Sequence, residues 1–394
     1  MSNHDPVVIV SAKRTPLGGF QGSLSSVSAP DLGATAIKSA IESAGITGTD
    51  IDEVIMGCVL PAGLGQAPAR QAAIKAGVQL SAGATTINKV CGSGMKAAMM
   101  ANDFIQAGSI NVAVVGGLES MTNAPYMLPN ARGGMRMGHG KAMDHMFLDG
   151  LEDAYQGKAM GCFAQDTADE FKFTRESLDE YAIRSLTRAQ EAIASGRFDN
   201  EIAPVTYSTR KGDVTVSVDE QPGAARIDKI PTLRPAFAKD GTITAANSSS
   251  ISDGAAALVM MKLSEAERRG LKPLAKMVSH ATNSIEPEKF TTAPIGAMES
   301  ALEKAGWSTS DVDLFEINEA FAMVTMAAMR EMSLPAEKVN VHGGACALGH
   351  PLGASGARII VTLLHALRNK GLKKGLASLC IGGGEATAIT VEML

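Results

Sequence analysis

Two stretches that repeat each other decide the fold: Ala36–Val54, AIKSAIESAGITGTDIDEV, and Ala297–Phe315, AMESALEKAGWSTSDVDLF. Ala36, Ser39, Ala40, Glu42, Ala44, Gly45, Asp50 and Asp52 recur without a gap as Ala297, Ser300, Ala301, Glu303, Ala305, Gly306, Asp311 and Asp313. Each copy reads as an amphipathic helix ended by an Ala-Gly C-cap, then an Asp-containing turn, then an apolar strand. Two Ala-rich helices resemble one another by composition alone, but a shared turn and following strand go beyond that.

Working outward, strands are expected at Val7–Ser11 and Leu274–Ser279 before the copies, and at Val112–Val115 and Leu376–Ile381 after them. The two later strands should run into turns, Gly116-Gly117-Leu118-Glu119 and Gly382-Gly383-Gly384-Glu385. Strands alternating with helices, twice over, predict two similar α/β halves, each a mixed sheet covered by helices. The copies lie 261 residues apart, which separates this duplication from a short-period solenoid. Between the halves, Tyr126–His145 mixes Met, Gly, Arg and His without a period, and a helix is expected from Thr174 to Ser195, capped by Thr174 and ended by Gly196. The region reads as an insertion folding over the active face. The expected division is 1–118 for the N-terminal half, completed by about 251–270, then 119–250 for the inserted loop domain and 271–394 for the C-terminal half.

At 394 residues, with 45% hydrophobic and 20% charged residues, the composition is that of a globular protein with two or three domains. A net charge of −5 gives no overall attraction to nucleic acid or anionic membrane. Five cysteines without a CxxC pair argue against a disulfide framework or zinc ribbon, and fit a reducing compartment. Met1–Val10 lacks the pattern of a signal or transit peptide, and no stretch approaches a membrane span, so a cytoplasmic protein without membrane or nucleic-acid partners is expected.

The chemistry-bearing residues lie at corresponding places. Cys91, in Asn88-Lys89-Val90-Cys91-Gly92-Ser93-Gly94-Met95-Lys96-Ala97, falls where a strand gives way to a helix. Unpaired N–H groups at a helix start favour a thiolate, and so a nucleophile, over a free thiol of pKa about 8.5. The segment alone leaves a buried structural cysteine equally open. His350, between Gly349 and Pro351 in Asn340–Arg358 (NVHGGACALGHPLGASGAR), occupies a turn that can aim its imidazole. Leu379-Cys380-Ile381-Gly382-Gly383-Gly384 ends an apolar strand in a loop able to turn several N–H groups on one oxyanion. Asn318, in Glu316-Ile317-Asn318-Glu319-Ala320-Phe321, either caps a helix or orients a water. No metal is expected, because Cys91, His350 and Cys380 lack ligand spacing and His139 and His145 lie six apart in a loop. Gly92-Ser93-Gly94-Met95-Lys96-Ala97 matches a GxGxxA nucleotide fingerprint, but the following strand lacks the acidic residue that such a site needs.

With these pieces assembled, the chain resembles the thiolase family, closest to its biosynthetic type, and the resemblance runs nearly end to end. It is carried by VVIVSAKRTPLGGFQGSL near the start, NKVCGSGMKA, TITAANSSSISDGAAAL, NEAF, GHPLGASGAR and CIGGGEA, in that order. It implies a duplicated five-layer α-β-α-β-α core with an inserted loop domain. The implied activity is an acetyl-CoA C-acetyltransferase: a reversible, ping-pong Claisen condensation of two acetyl-CoA into acetoacetyl-CoA and CoA. Coenzyme A thioesters are then substrates and no cofactor is expected. The family also implies a homo-oligomer, a dimer or a tetramer.

Residue by residue, Cys91 matches the nucleophile that takes the acyl group and His350 the group that deprotonates it. Cys380 matches the second cysteine, which removes the α-proton of the incoming acetyl-CoA and can protonate the leaving CoA. Asn318 matches the residue that holds a water and, with His350, stabilises the enolate oxygen. The Cys91 and Gly382 N–H groups match a second oxyanion hole. Ser249 should meet the pantetheine arm, in a channel lined by Leu151, Met160, Phe237, Ala245, Ala320 and Phe321. Two departures fall near the acyl pocket: Ala159 stands before Met160-Gly161 where acetyl-specific members carry His, and Phe290 where Met is frequent. They keep a broader-chain 3-ketoacyl-CoA thiolase of fatty-acid degradation as the alternative. Arg226 is the nearest candidate for the adenine end. A β-ketoacyl synthase shares the fold but expects a second catalytic His and no Cys380; a non-catalytic acyl-CoA binding protein would fit better had Cys91 or His350 been replaced.

Overall fold

The computed structural model describes residues 5–394. Its main strands are β1 (Val7–Arg14), β2 (Glu53–Gly57), β3 (Gly83–Ile87), β4 (Val112–Ser120), β5 (Ser252–Lys262), β6 (Ala275–Ser284), β7 (Leu314–Ile317), β8 (Lys374–Ile381) and β9 (Glu385–Met393). The helices that position the site are α1 (Ala29–Ala44), α2 (Ser93–Ala107), α3 (Met160–Glu170), α4 (Arg175–Ala194), α5 (Ala293–Ala305) and α6 (Leu352–Lys370).

The repeat folds alike in both halves. α1 and α5 end on Gly45 and Gly306, both left-handed, at φ 73° and 67°. A short 3₁₀ turn follows in each, closed by a reciprocal capping box, Thr47 with Asp50 and Ser308 with Asp311. The second repeated aspartate pins the next strand: Asp52 accepts N–H bonds from Asn111 and Val112, and Asp313 from Lys373 and Lys374. Conserving the Asp-x-Asp spacing in both copies thus preserves one turn cap and one strand anchor.

The strand order is β7-β8-β9-β6-β1-β5-β4-β2-β3, with β2 parallel to β3 and β4, β7 parallel to β8, and the remaining pairs antiparallel. The mixed sheets of the two halves join where Val8 and Ile9 of β1 face Lys276 and Ala275 of β6. Alternate residues of each strand serve different cores, as the two-residue period requires. Val112, Val114 and Leu118 pack with α1, whereas Ala113 and Val115 pack with α2 and α6. The central cluster also takes Ala377, Leu379, Ile389 and Val391 from the other half, so α2 and α6 lie between the two sheets. With α1 on one outer face and α5 on the other, the layers run α-β-α-β-α.

One expected turn is a strand. β4 continues through Gly116-Gly117-Leu118-Glu119 to Ser120, paired with β5 throughout. The glycines are there for contact: a Cβ on Gly116 would lie 1.9 Å from the Ala256 carbonyl oxygen. Gly382–Gly384 is a turn, as expected.

In the inserted region α4 starts from Thr174, whose hydroxyl accepts the Ser177 N–H, and ends before Gly196. Arg14 ties this region to the core. It is fully buried, paired with Glu201 and bidentate to Asp219 at 2.7 and 2.8 Å, over the Phe198 ring. No helix among the described residues is long and apolar enough to cross a membrane.

Candidate active site

Two helix starts build the site. α2 and α6 meet backbone to backbone: a Cβ on Gly356 would lie 2.4 Å from the Met95 nitrogen, and one on Gly94 2.8 Å from the Ala357 nitrogen. That close approach accounts for the GxGxxA match as a packing device. It also sets the loops before the two helices, bearing Cys91 and His350, at one place.

Cys91 projects from a tight turn. Val90, a β-branched residue, is held at φ 46°, a left-handed conformation that such residues avoid. The turn is fixed by Ser93, whose hydroxyl accepts the Lys89 N–H and donates to the Val90 carbonyl, and by Asn88, which accepts the Val90 N–H. Burial pushes the Cys91 thiol up to about 11, although the backbone N–H groups of Gly382 and of Cys91 itself pull the other way. Of the two tendencies that the segment leaves open, a helix start that favours the thiolate and burial that favours the thiol, burial is the larger here.

His350 is held by its backbone N–H, which is shared between the Ser250 carbonyl and the Ser252 hydroxyl, and by Gly349, whose φ of 108° admits no ordinary side chain. Its Nδ1 pairs with Ser355 Oγ. Ser355 already donates to the Pro351 carbonyl at 2.9 Å, so it accepts from His350, and Nδ1 carries the proton. Nε2 is left as a buried lone pair without a protein partner. Burial, with the Arg358 charge adding, lowers the imidazole to about 3. A neutral imidazole with an unpartnered Nε2 and a raised thiol thus line one cavity.

That cavity, of about 420 Å³, is lined by Cys91, His350 and Gly382 together with Leu151, Met160, Phe237, Ala245, Ser249, Ala320 and Phe321. All the residues anticipated for the channel are in its wall, as are Ala159 and Phe290. Arg226 is not; it is exposed and paired with Asp228. Cys380 lies behind the wall, fully buried among Met160, Phe290, Ala320 and Phe321, and its thiol is raised well above the ordinary range by burial, with Cys91 nearby adding. Asn318 follows the end of β7 and is fully buried, its N–H on the Ser378 carbonyl two residues before Cys380.

Sequence reading did not find Val90, Met121, Met146, Phe147, Ile251 or Leu352 in the wall, because an apolar lining residue reads like core. Nor did it find Glu119 or Glu319. Glu119 accepts the N–H groups of Val59, Leu60 and Gly353, tying the loop after β2 to the start of α6. Glu319 accepts from Tyr181, Ser185, Asn340 and the Cys346 N–H, joining α4 to the loop before His350. Among the described residues, no group of three His, Cys, Asp or Glu side chains gathers to hold a metal.

The sequence and the fold recur in known proteins. Residues 7–264 match the family model described as thiolase, N-terminal domain, and residues 271–393 the one described as thiolase, C-terminal domain. An acetyl-CoA acetyltransferase of Cupriavidus necator is 51% identical over 98% of this chain and 99% of its own length. The crystal structure of the Bacillus anthracis acetyl-CoA acetyltransferase superposes with a TM-score of 0.97 at 42% identity, covering 99% of each chain. A thiolase from Ascaris suum in complex with coenzyme A superposes at 0.93 with 44% identity, covering 99% of this chain and 100% of that one.

Proposed function

The chain belongs to the thiolase family, and from that membership we infer that it is an acyltransferase, an acetyl-CoA C-acetyltransferase. It joins two acetyl-CoA into acetoacetyl-CoA and CoA, and reverses the reaction by thiolysis. The observation that carries this reading is the one cavity that Cys91, His350, with its unpartnered Nε2, and Gly382 line together with an apolar channel.

The residues suit a ping-pong cycle in which every proton has a place. Nε2 of His350 takes the Cys91 proton as the sulfur attacks the acetyl carbonyl. The N–H groups of Cys91 and Gly382, both of which favour negative charge at Cys91, receive the developing oxyanion. CoA leaves with the proton of Cys380. The burial that raises Cys380 makes its thiolate a strong base, able to take the weakly acidic α-proton of the second acetyl-CoA. The resulting enolate forms while His350 is an imidazolium, which with a water on Asn318 offsets its charge. Attack of the enolate on the acetyl-Cys91 carbonyl, collapse, and return of the His350 proton to Cys91 restore the starting state.

Ser249 meets the pantetheine arm, in a channel walled by Leu151, Met160, Phe237, Ala245, Ala320 and Phe321. The cycle needs no cofactor besides its CoA thioesters. The reading also takes the enzyme as a cytoplasmic homo-oligomer, dimer or tetramer, from the family resemblance. Relatives at about half identity over the whole chain bear the acetyl name, which disfavours the longer-chain degradative alternative. The test is CoA-dependent loss of acetoacetyl-CoA, beside 3-ketohexanoyl-CoA. Preferential cleavage of the former, abolished by Cys91→Ala, is expected; no cleavage of either contradicts the proposal.

A further inference from the structure

A second buried charge cluster lies behind the cavity, on the same turn of α6 that carries Ser355. Arg358 is three residues further along the helix and 1% exposed. Its Nη2 reaches Oδ1 of Asn318 at 3.4 Å, and its Nη1 lies 3.7 Å from Oε2 of Glu316, a charge contact longer than a hydrogen bond. Glu316 and Asn318, two apart along one strand direction, share a face toward α6. A guanidinium only donates, whereas an amide can present either end. Arg358 therefore decides which end Asn318 turns inward: its oxygen is committed to Arg358, and its Nδ2 is left buried without a protein partner, as a donor.

We propose that Arg358, with its charge opposite Glu316, is a positioning residue that fixes the Asn318 amide as a hydrogen-bond donor for the enolate step. One turn of α6 then orients both groups that serve the enolate oxygen, Ser355 through the His350 tautomer and Arg358 through the Asn318 amide that holds the water. The inference rests on the thiolase reading of Asn318. It makes a distinction that a structural role would not: formation of the acetyl-Cys91 thioester from acetyl-CoA involves no enolate, while condensation and thiolysis do.

The experiment compares wild type, Arg358→Lys, Asn318→Ala and the double variant. Two quantities are read: kcat for thiolysis of acetoacetyl-CoA, and the rate of Cys91 acetylation by acetyl-CoA followed by intact-protein mass spectrometry. A lysine supplies a point charge without the fixed planar fork. Arg358→Lys is expected to slow thiolysis by about 10-fold or more, towards the 10²–10³ typical of a lost oxyanion donor, with acetylation unchanged. The double variant should be no slower than Asn318→Ala alone, the signature of two residues acting as one unit. Multiplicative effects, or equal loss of both half-reactions, would overturn the proposal. If Arg358→Lys does not fold by circular dichroism, Glu316→Gln replaces it, with the same selective slowing expected; unchanged thiolysis in that variant overturns the proposal. A wild-type protein that cannot cleave acetoacetyl-CoA refutes instead the function on which the inference rests.

Discussion

Ser355 accepts a hydrogen bond from Nδ1 of His350 because its own proton is committed to the Pro351 carbonyl. This one relationship fixes the imidazole tautomer, leaving a lone pair on Nε2 at the cavity that also holds Cys91.

Removing the acceptor frees the tautomer. Ser355→Ala should lower kcat for thiolysis by about 10–100-fold, less than the 10²–10⁴ of a whole general base, because the imidazole remains. Ser355→Thr keeps the hydroxyl and should restore most of the rate. A threonine variant as slow as the alanine one would point to packing rather than the hydrogen bond.

The Cys91 thiol, raised to about 11 by burial, fixes the pH dependence of its chemistry in the free enzyme. Only the thiolate is alkylated, and its fraction grows tenfold per pH unit until the pKa is passed. Inactivation by iodoacetamide should therefore keep rising past pH 9, where an ordinary thiol has begun to level. A plateau below pH 8 would show a stabilised thiolate and contradict the neutral pair.

Gly161 at the start of α3 leaves room for the Phe237 ring, since a Cβ there would lie 2.2 Å from it. Phe237 in turn meets Phe321 edge-on, with ring centroids 6.2 Å apart. Gly161→Ala should displace this wall of the channel and raise KM for acetyl-CoA by about 10-fold, the low end of what a misplaced methylene costs a pocket. The Cys91 alkylation rate should not change. An unaltered KM would remove Phe237 from the channel.

Arg14 joins the inserted region to the core through Glu201 and Asp219, with no solvent on any of the three. Replacing it with methionine strands two buried carboxylates, which should cost about 3–5 kcal/mol and be visible as a lower midpoint in urea. Arg14→Lys, with one charge but no fork, should fall between. A wild-type midpoint for Arg14→Met would contradict the assignment.

The duplicated core was legible because its repeat joins three kinds of signal, helix period, glycine C-cap and Asp-x-Asp turn, and each has a separate bond in the structure. Cys91, His350 and Gly382 were legible because each stands beside glycines at a strand or helix junction. Glu119 was obscured by the glycines before it, which suggested a turn where they serve close strand pairing. Arg14, Ser355 and Arg358 lie in stretches that were quoted for resemblance, but their roles depend on partners far away in sequence, such as Asp219 for Arg14. The balance at Cys91 stays open in the sequence for a related reason: helix ends can be read locally, whereas enclosure by the other half of the chain cannot.

The central claim is that two cysteines divide the work, Cys91 carrying the acetyl group and Cys380 moving protons. It is tested most directly by incubating wild type, Cys91→Ala and Cys380→Ser with acetyl-CoA and locating the acetyl group by peptide mass spectrometry. The account predicts an acetyl thioester on the Cys91 peptide in wild type and in Cys380→Ser, where it persists because the enolate step is lost, and none in Cys91→Ala. Acetylation of Cys380 in place of Cys91, or none in any protein, would contradict it.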